Sequence, residues 1–301
     1  MTYSIRTATV AAIALVSSTA IAQPTYEKGK ADDVKDVKAV EWTAKGEASL
    51  MTSTGNSRTT TASVGANATR KDKDNKFDAA FVAAYARATT RTATDTNGNG
   101  AIDAGELSTT KATSAKNMAL KLRYDRYLST LDALYVAALG AIDQPAGKEF
   151  QGGGQIGYSR GLYKSDCHEV LAEVGYDLSY LRLSAGSSAT IHSGRAFVGY
   201  KGKLKEDTSL EASAEGLFNG NRVTFGAREA GAFGATRLNG MVGVTTALST
   251  KLSLTASFTA KYDNFPAPLD KVGALPFAAG FAPSADKLDT VTKVSLIVKF
   301  L

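Results

Sequence analysis

With 301 residues, the chain is long enough for one large domain or for two, so length alone excludes little. Glycine is abundant (28) and proline scarce (6), and beyond the first residues no apolar run is long enough for a membrane-spanning helix, which argues against an α-helical membrane protein. The formal net charge of +6 is spread along the chain, and without a basic cluster or recognition motif we expect no nucleic-acid partner.

The first segment, Met1–Ala22, has the three parts of an export signal. Arg6 precedes the short apolar run Val10–Val16, and small residues at Ala20 and Ala22 end the segment. A signal peptidase recognises this combination. The apolar run is too short to span a bilayer as an uncleaved anchor. We therefore expect residues 1–22 to be a cleaved signal peptide and the mature chain to be exported.

Residues 23–41 are rich in charges of both signs and show no sustained periodicity. Such a segment is typical of a solvated lead-in, here on the periplasmic side. Trp42, the only tryptophan, stands where a regular pattern begins. A lone tryptophan packs into a core, or it anchors a membrane barrel at the interface.

From there on the chain alternates between apolar and polar residues. In Lys251–Tyr262 the even-numbered residues are apolar and the odd-numbered residues are polar, a period of two that predicts a strand. About twelve segments follow this pattern, and each is near the ten residues that a tilted strand needs to cross a bilayer. They are Ala44–Thr54, Arg58–Arg70, Lys76–Ala88, Lys116–Tyr127, Thr130–Ile142, Gln151–Tyr163, Glu169–Leu183, Ser193–Lys205, Ser209–Asn219, Thr236–Ser249, Lys251–Asp263 and Asp289–Leu301.

The connections between these segments alternate in length. One set is short and consists of Lys71–Asn75, Leu128–Ser129, Lys164–His168, Glu206–Thr208 and Thr250. Apart from the tight turn Gly55–Ser57, the other set is longer: Thr89–Ala115, Asp143–Phe150, Ser184–His192, Gly220–Ala235 and Asn264–Leu288. Outer-membrane barrels have short periplasmic turns and longer outer loops, whereas a soluble sandwich has no reason to alternate. We predict an all-β fold, an antiparallel transmembrane β-barrel of about 12 strands over residues 42–301.

The polar face of the predicted strands carries charges of both signs. In Glu169–Leu183, for example, Val174 and Tyr176 face outward and Glu173 and Asp177 face inward. Inward charges are tolerable only if the interior is wet or the charges pair, so both a narrow pore and a salt-bridged plug stay open. The predicted inward charges are Lys121, Arg123, Asp125, Glu173, Asp177, Lys201, Lys203, Glu211, Glu215 and Lys261.

Several sequence features resemble a known family. They are Trp42 followed by Gly46-Glu47-Ala48, the turn Gly55-Asn56, the central Leu122–Tyr127, then Gly152–Tyr158 and the late Lys261–Pro266. In this order they resemble the salt-stress-induced outer-membrane β-barrel family of Gram-negative bacteria, a family of unknown function. The resemblance covers Trp42 to Leu301. It implies an outer-membrane barrel and brings no substrate or catalytic residues.

One chemical motif lies between the third and fourth predicted strands. Asp95–Glu106 has oxygen-bearing side chains at loop positions one, three, five, nine and twelve, with Gly100 at position six and Ile102 at position eight. This spacing is that of an EF-hand calcium loop, in which the glycine makes the sharp turn and the last glutamate supplies two oxygens. The predicted Ca²⁺ ligands are Asp95, Asn97, Asn99, Ala101 through its carbonyl, Asp103 directly or through water, and Glu106.

The segments on either side of this motif differ from those of a complete EF-hand. Thr89–Thr94 and Leu107–Thr113 do not read as paired EF-hand helices, although the alanine-rich Phe77–Ala88 could be helical. An Asp/Asn/Gly-rich hairpin loop is the alternative. We expect an unpaired loop of this charge to bind Ca²⁺ with a dissociation constant of about 10⁻⁴–10⁻³ M, which suffices outside a cell. We treat residues 89–115 as a calcium-binding insertion in an outer loop.

The sequence gives little support for other catalytic or metal-binding sites. Cys167 has no internal disulfide partner and no neighbouring base, so we expect a tolerated thiol. His168 and His192 fall in connections at opposite barrel ends, which argues against a histidine triad or a zinc site. We expect a non-enzymatic outer-membrane protein with an envelope or surface role, and alternatively a passive channel for small solutes. Its expected partners are outer-membrane lipid and lipopolysaccharide, the barrel assembly machinery and Ca²⁺.

Overall fold

The structure is a computed structural model, and it describes residues 40–53, 58–93, 96, 107–143, 147–184, 186–268, 271–272, 275–276 and 284–299. Within them it is built from strands alone. The strands are β1 (Glu41–Ser53), β2 (Arg58–Asp72), β3 (Asn75–Ala93), β4 (Leu107–Tyr127), β5 (Asp132–Asp143), β6 (Lys148–Lys164), β7 (His168–Leu183), β8 (Ser188–Lys203), β9 (Thr208–Asn219), β10 (Val223–Phe225), β11 (Arg228–Ala230), β12 (Arg237–Ala247), β13 (Leu252–Asp263), β14 (Lys271–Val272), β15 (Leu275–Pro276) and β16 (Leu288–Lys299).

Twelve of these strands close into one antiparallel barrel. Each long strand pairs with the next along the chain, and β1 pairs with β16 to complete the cylinder. Two small hairpins, β10–β11 and β14–β15, lie outside this sheet. The predicted fold class and number of barrel strands are therefore confirmed. In the described part of the chain no helix is long and apolar enough to cross a membrane.

The alternation of the sequence becomes the two faces of the wall, because successive side chains of a strand point to opposite sides. Along β7, Val174 and Tyr176 are exposed on the outside while Glu173 and Asp177 are buried inside. The same division holds around the barrel. Phe258 is exposed in the middle of β13, but most exposed aromatic residues of the wall lie toward one of the two rims, as in outer-membrane barrels. They are Trp42, Phe77, Tyr124 and Tyr163 toward the short-turn end and Tyr85, Phe150, Tyr176, Tyr180 and Phe218 toward the other end.

The two ends of the barrel differ in their connections. One end has the turns 73–74, 128–131, 165–167, 204–207 and 248–251, all short as predicted. At the other end 220–236 and 264–287 are long, but the predicted long connections Asp143–Phe150 and Ser184–His192 are wrong: residues 144–147 and 184–187 make the link. The reason is that β6 and β8 continue to pair beyond the point where their alternation fades, as at Asp143 opposite Lys148 and Arg182 opposite Ser188.

The longest hairpin is β3–β4. The helical alternative for Phe77–Ala88 is wrong, since these residues pair with β2 on one side and β4 on the other. The two strands also run further than predicted, to Ala93 opposite Leu107. On its other side β4 pairs with β5 only up to Asn117 opposite Asp143. The first ten residues of β4, 107–116, therefore extend past the end of β5.

Candidate functional site: the barrel interior

At the centre of the interior, one carboxylate lies between two guanidinium groups. Glu173 of β7 accepts a hydrogen bond from Arg123 Nη2 of β4 at 2.8 Å and another from Arg195 Nη1 of β8 at 2.7 Å. All three side chains are almost completely buried. They meet because each stands at an inward position of its strand and the lumen is narrow enough for long side chains to cross part of it.

Two further carboxylates balance the arginines. Arg123 Nε and Nη2 donate to Asp125 at 2.9 and 2.6 Å, and Arg195 Nε donates to Glu215 at 2.6 Å. A buried charge is tolerable when it is paired and its remaining hydrogen-bonding groups are satisfied. Asn239 meets that condition for Glu215 by donating to Oε2 at 2.9 Å. The result is a salt-bridged plug on this side of the lumen.

A tyrosine supports the plug from the wall. Tyr135 of β5 is 1% exposed, and its hydroxyl accepts a hydrogen bond from Arg195 Nη1 at 2.7 Å. The Arg123 guanidinium carbon lies 4.1 Å from the centroid of the tyrosine ring, a cation–π contact. The ring lies against Gly157 and Gly175, where an added Cβ would come within 2.7 Å of the Tyr135 hydroxyl oxygen. The two glycines therefore make room for the tyrosine.

Smaller polar groups extend the plug to both sides. Asp177 accepts hydrogen bonds from Gln155 Nε2 at 2.9 Å and Ser179 Oγ at 2.7 Å, and Arg237 Nη2 lies 3.2 Å away. On β3, Lys76 and Asp78 form a buried ion pair at 2.7 Å. The predicted inward placement of Arg123, Asp125, Glu173 and Asp177 is confirmed. The sequence left two alternatives for the interior, a narrow pore and a salt-bridged plug. Along the wall from β3 to β9 the inward charges are paired, as in a plug.

The opposite wall, on β12, β13, β16, β1 and β2, is different. Besides Arg237 and Asn239, which reach the plug, and the ion pair of Lys293 with Glu47, it carries a group of short and mostly hydroxyl-bearing inward residues, and we call this group the hydroxyl wall. It comprises Ser49, Thr61, Ser63, Gly65, Thr245, Ser253, Thr255 and Ser257, all half-buried. Cross-strand hydrogen bonds link Ser49 with Ser63 at 2.6 Å and Thr245 with Thr255 at 2.8 Å. Solvent reaches these side chains, so the lumen has a packed, charged side and an accessible, polar side.

The mouth at the long-loop end is partly covered by the β10–β11 hairpin. Val223, Phe225 and Ala230 of this hairpin pack on Leu183 and Ile191 at the ends of β7 and β8, and Leu181, Ala235 and Ala267 complete the buried apolar cluster. We call this structure the mouth cap. An apolar cluster excludes water, so the cap closes this part of the mouth.

Hydrogen bonds of Asn219 and the stacking of two phenylalanine rings hold the cap. Buried Asn219, at the end of β9, donates from Nδ2 to the carbonyls of Asn221 and Gly231 at 2.7 and 2.9 Å and accepts from Ala235 N at 2.8 Å. Phe225 stacks on Phe265 with ring centroids 5.2 Å apart. Phe265 belongs to the connection between β13 and β16, so both long connections contribute to the cap.

The predicted calcium ligands Asp95, Asn97, Asn99, Ala101, Asp103 and Glu106 lie outside the described residues. Within the described part of the chain, no group of three or more His, Cys, Asp or Glu side chains could hold a metal ion. Cys167 is exposed in a short turn. His168 lies at the short-turn end and His192 toward the other end of the barrel, so their predicted separation is confirmed.

Comparison with known proteins places the chain in a family. Residues 46–300 match the family described as "Protein of unknown function, DUF481". The chain belongs to the DUF481 family. That description says nothing of salt stress or of a calcium loop, so both stay predictions. A comparison with curated proteins gives no match.

Solved structures similar to this DUF481 chain are outer-membrane barrels. A NanC porin has 9% identity and a TM-score of 0.44, covering 87% of this chain and all of that one. The translocator domain of the autotransporter NalP from Neisseria meningitidis has 14% identity and a TM-score of 0.38, covering 90% and 92% of the two chains. An anion-selective porin from Comamonas acidovorans has 8% identity and a TM-score of 0.37, covering 87% and 99%. Similarity at this level gives no information about function.

Several interior residues of the DUF481 barrel were not predicted from the sequence, among them Arg195 and Tyr135. Arg195 has the same parity as Lys201 and Lys203, which were predicted to face inward, so the signal for it was present. Tyr135 gave no signal, because Leu134 and Val136 on either side of it are apolar as well. Where both faces of a strand are apolar, alternation does not say which one faces the lumen.

Proposed function

We propose that this DUF481 barrel is a non-enzymatic outer-membrane protein whose lumen is a passive channel for small polar solutes. The observation that carries the proposal is the asymmetry of the interior. The hydroxyl wall is accessible to solvent, while the plug around Glu173 fills the other side. Short hydroxyl side chains leave space and supply hydrogen-bond partners of both kinds, which suits uncharged hydrophilic solutes.

Two structures narrow the lumen and so limit the size of the solutes that can pass. The plug occupies one side and the mouth cap covers part of the long-loop end. The remaining path runs along β12, β13, β16, β1 and β2. We expect small sugars and amino acids to pass and oligosaccharides to be retarded.

Planar-bilayer recording tests this proposal with two neighbouring cysteines. Ser257→Cys places a thiol on the hydroxyl wall, whereas Ala256→Cys places one on the outer face of the same strand. Both are made with Cys167→Ala, because Cys167 is exposed. A positively charged, thiol-reactive methanethiosulfonate should lower the conductance of the first variant and leave that of the second unchanged.

Two results would contradict the channel. Purified barrel that inserts and yet shows no conductance steps at any voltage would exclude an open path. Equal block of the two cysteine variants would mean that the measured current does not run along the hydroxyl wall. Swelling of proteoliposomes in sugars of increasing size then gives the size limit.

A second candidate function is calcium binding by the connection between β3 and β4. Its support is the ligand spacing of Asp95–Glu106 and the length of the β3–β4 hairpin, whose strand β4 extends past the end of β5. If the short turns are periplasmic, this connection lies outside the cell, where calcium-binding modules have dissociation constants of about 10⁻⁴–10⁻³ M. Bound Ca²⁺ would order the connection or link it to anionic lipopolysaccharide and so serve envelope integrity.

Calcium titration of the refolded protein tests this role. Glu106→Gln removes the predicted bidentate ligand, and we expect it to abolish a calorimetric Ca²⁺ response that the unchanged protein shows. Glu206→Gln, in a short turn at the opposite barrel end, is the matched control. An unchanged response in Glu106→Gln would remove the metal site from the proposal without touching the channel.

Placement in the outer membrane is part of the same proposal. It is supported by the apolar outer face, the aromatic residues near both rims and the export signal in residues 1–22. We expect a mature chain beginning at Gln23, delivered to the barrel assembly machinery and found in the membrane fraction with heat-modifiable gel mobility. Mature protein that is soluble in the periplasm without detergent would overturn this placement.

A further inference from the structure

The outer face of the β3–β4 hairpin carries three cations toward the long-loop end. Arg87 of β3 and Lys111 and Lys116 of β4 all have exposed side chains, and we call this group the outer basic patch. Lys116 pairs with Tyr85 and Lys111 pairs with Thr89, so that Arg87 lies diagonally between the two lysines. Diagonal neighbours of a β-ladder lie about 7–8 Å apart, which is close enough for one ligand to contact all three long side chains.

A β-bulge places the two lysines on the same face. Lys111 and Lys116 are five positions apart, an odd number, so in a regular strand their side chains would point to opposite faces. The ladder between β3 and β4 skips one residue of β4, Ser114, between Ala86 and Arg87. Such an extra residue reverses the alternation of the strand that contains it. Lys111 therefore faces outward with Lys116, whereas an unbroken strand would turn it into the lumen.

The strands around the patch contain no acidic residue near it. Residues 58–71 of β2, 79–93 of β3 and 107–124 of β4 include neither aspartate nor glutamate. On β5 the acid at this level is Asp143, but it stands opposite Asn117, which is buried on the lumen side. Within the described residues no ion pair involves any of the three cations. Their charge is thus available to an anion that approaches from outside the barrel.

The patch begins where the outer face changes from apolar to polar. Along β4, Leu120 and Met118 are exposed apolar side chains, and Lys116 is the next outward residue. Opposite it stands Tyr85, one of the exposed aromatic residues toward the long-loop rim. In outer-membrane barrels such aromatic residues mark the boundary between hydrocarbon and head groups. The other two cations lie beyond this boundary, at the level of the head groups.

We propose that the outer basic patch binds the phosphate groups of lipid A, which anchors lipopolysaccharide in the outer leaflet. Lysine is a common phosphate ligand, and the guanidinium of Arg87 can donate two parallel hydrogen bonds to one phosphate. The acyl chains of the same molecule would lie along Met118 and Leu120. This inference rests on the proposed placement in the outer membrane with periplasmic short turns. It involves neither the lumen nor a calcium ion.

Native mass spectrometry of the refolded barrel in detergent tests the patch. The probe is lipid A with two phosphates, added in EDTA so that Ca²⁺ cannot bridge it to the acids of the connection 94–106, which lies outside the described residues. We expect binding to weaken at least about tenfold in Arg87→Gln/Lys111→Gln/Lys116→Gln, which removes three cations from the interface. Lipid A without phosphates should bind the unchanged protein and this patch variant equally weakly.

The control variant is Lys203→Gln/Lys205→Gln/Lys251→Gln, which removes the same charge from exposed lysines at the short-turn end. It should bind lipid A as the unchanged protein does. Unchanged binding in the patch variant would overturn the site. Equal losses in the two variants would do the same, because they would mean a general attraction between lipid A and a basic protein. Phosphatidylglycerol that binds as tightly as lipid A would contradict lipopolysaccharide as the ligand.

A conservative variant separates loss of charge from loss of structure. Lys111→Arg/Lys116→Arg keeps three cations on the same face and should retain lipid A binding. Its failure to bind, with the folded gel band intact, would contradict a phosphate site. The patch variant should also conduct in bilayers as the unchanged protein does, because the three side chains face away from the lumen. Loss of lipid A binding and loss of conductance are therefore separate results, and a barrel that never conducts can still bind lipid A.

Discussion

The guanidinium carbon of Arg123 lies 4.1 Å above the ring of Tyr135, whose hydroxyl accepts a hydrogen bond from Arg195. One aromatic side chain thus contacts both arginines that share Glu173, with its face toward one and its edge toward the other. Removing any member of this group leaves a buried charge without its full set of partners. The group therefore behaves as a unit, and its variants should not be additive.

Glu173→Gln is expected to lower the free energy of unfolding by about 3–5 kcal/mol, because it leaves two buried arginines without their shared counter-charge. Urea titration of the refolded barrel in detergent measures the change. Glu211→Gln is the control: Glu211 pairs with Lys201 at 3.0 Å, but both side chains are about half exposed, so little or no change is expected. Similar losses in the two variants would show that the plug contributes no more than a surface pair.

Gly175→Ala is expected to destabilise the barrel by about 1–3 kcal/mol through overpacking. The added Cβ would lie 2.5 Å from the carbonyl oxygen of Ile156 and 2.7 Å from the Tyr135 hydroxyl oxygen, so the strand or the ring must move. Gly140→Ala is the matched control, since nothing lies within 4 Å of its Cβ position. The temperature at which the folded gel band is lost compares the two, and equal shifts would refute the close packing of Tyr135.

Val174→Arg tests the outer face. Val174 is 59% exposed in the middle of β7, whereas Leu128 is 61% exposed at the short-turn rim. In a bilayer an arginine costs about 2–4 kcal/mol at mid-depth and at most about 1 kcal/mol near the interface. Unfolding in liposomes should therefore separate Val174→Arg from Leu128→Arg. Equal, small effects would mean that hydrocarbon does not surround this wall.

Asn219→Ala is expected to release the mouth cap while the barrel stays folded, because its amide makes three hydrogen bonds that hold the cap in place. Limited proteolysis should then cut within 220–236, and in bilayers the mean conductance should rise. Phe233→Ala, in the same connection, serves as the control, since the Phe233 side chain is exposed. Resistance to protease equal to that of the unchanged protein would show that the cap does not depend on Asn219.

The sequence predicted the barrel well because a sheet with one apolar and one polar face repeats with a period of two, and that repeat is visible residue by residue. At Phe77–Ala88 the predicted strand is confirmed, and the helical alternative, which followed the local propensity of alanine, is wrong. Propensity is a weak preference, and pairing with β2 and β4 overrides it. It also misjudged where β6 and β8 begin, because ladder pairing continues where side-chain alternation does not.

The sequence by itself determined the approximate positions of the strands, the two faces of those strands that alternate clearly and the Asp95–Glu106 spacing, since each of these depends on residues close together in the chain. Only the tertiary structure decided which inward charges meet, that Tyr135 faces the lumen, that the β10–β11 hairpin covers part of the mouth, and that the β1–β16 seam is short. The physical reason is that these relationships depend on the register and closure of the barrel. Register brings together residues as distant as Arg123 and Glu173, and no local pattern records it.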